Sequence, residues 1–405
     1  MLEAIFSHPD FWKYVSIPIV AALVAWATNW VAVQMTFYPI EYFGVRPFFG
    51  WQGIIPSKAE KMAGILVDQT LSKIGSIEEF FQQMEPEKIA AHLTRSIQEN
   101  IEDYTDEVMT ERNAVLWENL PLMVRRRIYS RARKIVPDIM DSLVEDIGQN
   151  VESLVDLKYM VQAQMRNDKE LMVKMFREVG EPEFRFVTNS GLYFGFLFGL
   201  IQLPIFIFFP FGWILPVGGL IIGAITNWLA LNIIFRPVRP IPVGPYRVQG
   251  LFLKRQKDVA ENFARLTTEE VVTLKNIMQQ VIYGPRADRT KALIKRHLRP
   301  LLEGGVVRTA AQLTVGPSGY ADLKKSVEEK ALDLAVFPFE DPDFNRERGA
   351  IVERIMCERM QDLSAQEFQD LLRPAFQEDE WILITVGAVL SMGAGFLQLF
   401  VIFGG

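Results

Sequence analysis

Gly191–Phe235 reads GLYFGFLFGLIQLPIFIFFPFGWILPVGGLIIGAITNWLALNIIF, without a single Asp, Glu, Lys, Arg or His. The stretch is about twice the roughly 20 apolar residues that one membrane-spanning helix needs, so it has to fold back on itself. Phe209, Pro210, Phe211, Gly212 and Trp213 supply the turn, because proline and glycine interrupt a helix and aromatic rings suit the membrane interface. One span then covers Gly191–Phe208 and the next Ile214–Phe235.

Two further stretches have the same character. Tyr14–Phe37 and Trp381–Gly405 are free of charge, the latter opened by an interfacial tryptophan after the acidic run Glu378, Asp379, Glu380. The first does not read as a cleaved signal, since Lys13 is the only basic residue before it and Glu3 and Asp10 precede it. Four spans place the polar segments 54–185 and 251–380 on one side of the membrane. Arg46, Lys58, Lys61, Arg185, Arg236, Arg239, Arg247, Lys254, Arg255 and Lys257 lie on that side against Lys13 on the other, which predicts cytoplasmic domains.

Between the spans the chain reads as helical. Ile139, Leu143, Ile147, Val151, Leu154 and Val155 recur at intervals of three or four, with Asp141, Glu145 and Glu152 off the stripe. Capping boxes mark helix starts at Ser76 with Glu79, Thr267 with Glu270 and Ser364 with Glu367. Pro121 and Pro137 are expected to break the first segment into shorter helices. Gly284-Pro285, Gly304-Gly305, Gly316-Pro317 and Pro338–Pro342 do the same to the second. The basic run Arg125, Arg126, Arg127, Arg131, Arg133 and Lys134 reads as a solvated bundle face balanced by nearby acids, with anionic lipid as the alternative.

The same order of motifs is written twice. Ala27-Thr28-Asn29-Trp30 answers Ile225-Thr226-Asn227-Trp228; Phe37 and Pro39 answer Phe235 and Pro237. Gln52-Gly53 answers Gln249-Gly250 across a proline- and glycine-bearing elbow, and Gly191, Gly199 and Gln202 answer Gly387, Gly395 and Gln398. The predicted fold is therefore an all-α membrane protein with four transmembrane helices, two helical extramembrane domains and an internal tandem duplication. Residues 1–53 hold the first span and elbow, 54–185 the first domain, and 186–250 spans two and three with the second elbow. Residues 251–380 form the second domain and 381–405 the fourth span.

The paired Thr-Asn-Trp spans, the Gln-Gly elbows and the Leu-Tyr-Phe-Gly-Phe-Leu-Phe-Gly-Leu-Ile-Gln span resemble the bacterial membrane-protein family catalogued as domain of unknown function 445. The resemblance covers nearly the whole chain. It implies a multi-pass protein of the bacterial inner (plasma) membrane and supplies no catalytic residue. Tyr38 stands where the second copy has Arg236, and the first elbow is bulkier, so the two elbows need not bind alike.

Catalytic and cofactor chemistry leaves no trace. His8, His92 and His297 are far apart, no metal-ligand spacing occurs, and neither a phosphate-binding glycine loop nor a Gly-x-Ser-x-Gly elbow is present. Cys357 is the only cysteine, so no intrachain disulfide forms. The net charge of −6 disfavours nucleic acid as a partner. No cofactor, metal or enzymatic activity is expected.

Polar side chains inside the spans are the remaining candidates: Thr28, Asn29, Gln34, Gln202, Thr226, Asn227, Asn232 and Gln398. None is ionisable, which disfavours a proton relay or voltage sensor and favours interhelical hydrogen bonding. The depths of Asn29 and Gln202 are expected to differ by roughly 6 Å, close enough for amides to pair. Arg236, Arg239, Arg247, Lys254, Arg255 and Lys257 are the candidate headgroup contacts. These features point to an envelope protein organising or handling membrane lipid, as a scaffold or lipid-binding protein. The alternative is a transporter or channel component for a small neutral or lipidic solute, which four spans per chain would suit better in a homo-oligomer. In a Cys357→Ser background, single cysteines near Ser76 and Thr267 should react only after the membrane is permeabilised and those around Pro210 in intact cells. Labelling of the domains from outside intact cells would reverse the orientation.

Overall fold

The structure, a computed structural model, describes residues 11–45, 49–209, 211–303, 320–332, 337–377 and 380–402. Among the described residues, four helices are long and apolar enough to cross a membrane. They are Phe11–Phe37, the apolar part of Lys169–Phe208, Ile214–Phe235 and Glu380–Ile402. The chain falls into two compact units, each discontinuous in sequence. One takes residues up to Thr70, Gln162–Phe263 and Cys357 onward; the other takes Leu71–Val161 and Ala264–Met356. The linear segments 54–185 and 251–380 thus each contribute to both units.

In the first unit the spans pack as two antiparallel pairs, one with two and three with four. Small residues bring the backbones together. A Cβ on Gly191 would sit 2.6 Å from the Ala25 carbonyl oxygen, and one on Gly199 would sit 2.6 Å from Pro18 Cα. The second pair repeats this, with a Cβ on Gly395 placed 2.6 Å from the Leu215 oxygen and 2.7 Å from Pro216 Cα. Such close approach lets van der Waals contact replace the hydrophobic effect, which is absent between helices in lipid. At one end Ile17, Phe206, Ile214 and Leu215 are buried together with Leu399 beside them. The starts of spans one and three therefore share that end with the finishes of two and four.

Span two differs from its expected extent. Its helix starts at Lys169, so a charged stretch runs into the apolar one without a break, and Pro182 and Pro204 lie inside it. Charge marks where water ends; it does not mark where hydrogen bonding along the backbone ends. The turn falls where expected, with Ile214 N donating to the Phe211 carbonyl (2.9 Å). Pro210 itself lies outside the described residues, as do Arg46, Glu378 and Asp379.

Both elbows are β-hairpins, a feature that the all-helical reading did not include. Phe43–Val45 pairs with Phe49–Trp51, and Ile241–Val243 with Tyr246–Val248. In the second hairpin Gly244, at φ +59°, and Pro245 form the two-residue turn, the first position being one that glycine takes without strain. Each hairpin is closed at its base in the same way. Gly53 N donates to the Pro39 carbonyl (2.9 Å) and Gln52 Nε2 to Ile40 O (2.7 Å). Gly250 N donates to Pro237 O (3.0 Å) and Gln249 Nε2 to Val238 O (3.1 Å).

The second unit is a helical bundle around Leu122–Leu154, which packs on Ile77–Gln83, Pro86–Glu99 and Ala287–Glu303. The stripe Ile139, Leu143, Ile147, Val151 and Leu154 is buried, with Asp141, Glu145 and Glu152 exposed. Pro137 does not break this helix. The carbonyl that its ring deprives of a donor, Arg133 O, accepts instead from Gln98 Nε2 (2.8 Å). Pro121 and Gly284-Pro285 do stand between helices. Gly304-Gly305 and Gly316-Pro317 lie outside the described residues. Ser76 accepts from Glu79 N (3.1 Å), and Ser364 and Glu367, in the first unit, form a full reciprocal box. Thr267 caps nothing: it is fully buried in a widened turn that continues the preceding helix, and Thr273 caps the next one through Asn276 N (3.0 Å). Of the basic run, Arg133 pairs with Glu102 (2.8 Å) and Arg126, Arg127, Arg131 and Lys134 are exposed.

Gly393 and Gly395 separate propensity from packing, because a Cβ at Gly393 meets nothing within 4 Å. Gly393→Ala should hold or raise the melting temperature in detergent, since alanine is favoured in helices by up to about 1 kcal/mol. Gly395→Ala should lower stability by about 1–3 kcal/mol, as overpacking against backbone does. Equal effects would show that the close approach carries no energy.

Candidate functional site

Two groups of side chains in the first unit answer the sequence-based expectations, one inside the bundle and one at its polar end. Inside, the amides do not pair with one another. Asn29 Nδ2 donates to the Val187 carbonyl (2.9 Å), and Asn227 Nδ2 to the Leu383 carbonyl (3.0 Å). Both are buried, at 1% and 2% exposure, and both leave Oδ1 without a partner among the described residues. The expected Asn29–Gln202 pair fails for a geometric reason. Span two runs antiparallel to span one with Gly199 at Pro18, so Gln202 lies beyond that level, roughly 16 Å or more along the axis from Asn29. Gln202 Nε2 instead donates to Ile214 O at the start of span three (3.3 Å). Gln398 Nε2 is buried with no partner among the described residues.

The remaining polar groups inside the bundle are mostly local. Thr28 Oγ1 bonds Val24 O (2.8 Å) and also lies 3.2 Å from Ser391 Oγ, a link between spans one and four that the sequence did not suggest. Thr226 Oγ1 returns to Gly223 O (3.2 Å), and Asn232 Nδ2 to Trp228 O (2.8 Å). Gln34 lies in an open surface hollow with Trp30 and Tyr38. A cavity of about 60 Å³ opens beside Thr36, Glu183, Asn227, Phe252 and Glu380. It has room for a few waters, at roughly 10–15 Å³ each, and a water there would supply the Asn227 oxygen with a donor.

At the polar end the basic residues divide. Arg255 is turned inward: its Nη1 lies 2.8 and 2.7 Å from the two oxygens of Glu183, whose side chain is 6% exposed. A buried pair of this kind fixes span two to the segment after the second elbow, so Arg255 is a structural cation and not a free headgroup contact. Arg236, Arg239, Arg247, Lys254 and Lys257 are exposed, and none forms an ion pair among the described residues. The hairpins beside them present apolar side chains to solvent: Phe43 (79% exposed), Val45 and Phe49 (82%) in one, Ile241 and Val248 in the other. The first elbow is tied down by Lys169 to Glu41 (2.9 Å) and by Arg177, which donates to the Tyr38 hydroxyl (2.6 Å). Tyr38, which the sequence aligns with Arg236, thus accepts a hydrogen bond from a cation.

The chain is similar to curated bacterial proteins named UPF0754 membrane protein. The protein of Bacillus cytotoxicus is 33% identical over 98 residues, covering 21% of this chain and 26% of the relative. That of Exiguobacterium sibiricum is 35% identical over 72 residues, covering 16% and 19%. That of Synechococcus elongatus is 29% identical over 178 residues, covering 42% of each. The chain therefore spans less than half the length of these curated relatives. No family model matches it, so the resemblance to domain of unknown function 445 gains no support there. No solved structure matches either. Four apolar helices and relatives named as membrane proteins establish a membrane protein; the relatives' names assign no activity.

Asn29→Leu and Asn227→Leu should each cost about 0.6–2 kcal/mol in detergent, the range for hydrogen bonds between membrane helices. Since the acceptors are backbone carbonyls, neither loss should couple to Gln202→Leu or Gln398→Leu in a double-mutant cycle. Coupling above about 0.5 kcal/mol would restore amide–amide pairing.

Proposed function

We propose that this protein is a non-enzymatic, tandemly duplicated membrane protein that organises or handles lipid at the cytoplasmic face of a bacterial inner membrane. The observation that carries the reading is the pair of hairpins at the polar end of the bundle. Each sets exposed apolar side chains beside the end of a span, and the second is flanked by the exposed cations Arg239, Arg247, Lys254 and Lys257, none of which forms an ion pair among the described residues. Apolar groups that enter the interface and cations that meet anionic headgroups are the two elements of surface lipid binding, the cations contributing about 1 kcal/mol each. The matching contacts in the two halves, Asn29–Val187 with Asn227–Leu383 and Gln52–Ile40 with Gln249–Val238, support the duplication. The alternative transport reading draws less support, since Asn29, Asn227 and Gln202 donate to backbone carbonyls instead of lining a shared lumen.

Neutralising Arg239, Arg247 and Lys254 together to Gln should remove co-purifying anionic phospholipid, read by mass spectrometry of an extract, while Arg255→Gln should act on stability instead. An unchanged lipid profile in the triple variant would reduce these cations to topology signals.

A further inference from the structure

The second unit holds a partly open cavity of about 210 Å³ between helices Pro86–Glu99, Ile101–Glu118, Leu122–Leu154, Leu274–Tyr283, Ala287–Glu303 and 320–332. Its wall is almost entirely carbon, with Ile97, Val108, Val136, Met140, Ile294 and Leu323 among its contributors. Well-packed interiors hold few voids larger than a water molecule, so an apolar space of this size is a feature to be explained. It exceeds the roughly 150 Å³ apolar cavity that stays dry and binds benzene, and falls below the roughly 300 Å³ that encloses a whole drug-sized ligand. Part of a hydrocarbon chain, larger than benzene and smaller than a drug-sized ligand, fits between those limits, with the remainder reaching out through the open side.

Two polar features mark the space as built for an occupant. Thr290 lines it, is fully buried, and its hydroxyl has no partner among the described residues. A buried hydroxyl without a bond is costly, and an occupant with an acceptor oxygen would satisfy it. Lys330 also lines the cavity while its ammonium reaches the exposed carboxylate of Glu107, placing a cation at the margin. Elsewhere on the wall, His297 is held by Asp146 (2.6 Å), whose carboxyl is kept below its usual range by that hydrogen bond and by Arg296. A ligand with an apolar chain and an oxygen-bearing end matches this lining, and a protein embedded in a bilayer is surrounded by such molecules.

We infer that the apolar cavity of the second unit is a binding site for one acyl chain, of a free fatty acid or a phospholipid. It goes beyond the headgroup reading of the hairpins and uses none of their residues. The test is photolabelling of the full-length protein in nanodiscs of zwitterionic lipid, with chain-diazirine palmitate and chain-diazirine phosphatidylglycerol as separate probes. Labelling by palmitate alone supports a fatty-acid source and labelling by phosphatidylglycerol alone a phospholipid source, in both cases on peptides spanning residues 93–109, 132–147 and 278–302. Ala132→Phe fills the space from one helix and Val327→Phe from another, so that one variant suffices if the other fails to fold. Either should cut cavity labelling by about tenfold or more at an undiminished melting temperature, and excess unlabelled ligand should compete in the native protein. Arg239→Gln, Arg247→Gln and Lys254→Gln should leave cavity labelling unchanged, which separates this site from the hairpins. Absence of label on these peptides with both probes, or full labelling in a folded filled variant, overturns the assignment.

Discussion

Everything in the first unit depends on how closely the paired spans approach. Within lipid, burying one more leucine between helices gains little, because the tails outside are as apolar as the neighbour inside. Stability comes instead from contact between backbones, and that requires side chains to be absent at the crossing. Gly191 and Gly199 on span two, and Gly395 on span four, meet Ala25, Pro18 and Leu215–Pro216 at separations that no Cβ tolerates. Once these levels are pinned, the rest of the register follows: Asn29 comes opposite Val187, Asn227 opposite Leu383, and the elbows leave the same end of the bundle.

The close approach also decides what the buried amides can do. A helix whose backbone lies against its neighbour exposes carbonyl oxygens at the contact, each with a spare lone pair even when engaged in its own helix. Asn29 and Asn227 reach those oxygens directly, so one bond of modest energy between uncharged groups locks the depth of each pair. The amide oxygens left over are the cost of this arrangement, and the small cavity beside Asn227 lies where a water could relieve one of them.

Much of this was legible in the sequence. Charge-free length located the spans, the Phe209–Trp213 turn fell where predicted, and the recurrence of Asn29 as Asn227 and of Gln52-Gly53 as Gln249-Gly250 marked residues that turn out to make matching bonds. What escaped was set by neighbours in space. Pro137 reads as a breaker because its local cost is certain, while the compensating donor, Gln98, belongs to another helix. Arg255 reads as one more interfacial cation until Glu183 is found beside it. The hairpins were hidden because strands of three residues are too short to show alternation, although Gly244-Pro245 was a turn signal in plain view. Thr290 carries no sequence signal at all, since only a packed structure reveals a buried hydroxyl without a partner among the described residues.

The cavity of the second unit bears on whether that unit has a purely structural role. Closing such a void is within reach of ordinary substitutions, because its wall includes residues as small as Ala132 and Ala331 at which a larger apolar side chain would fill it. A polar solution is equally simple: Thr290→Val removes the unbonded hydroxyl at no change in shape. That the chain keeps both the space and the hydroxyl is consistent with a bound chain filling the one and bonding the other, so that the unit is fully packed when it carries its ligand.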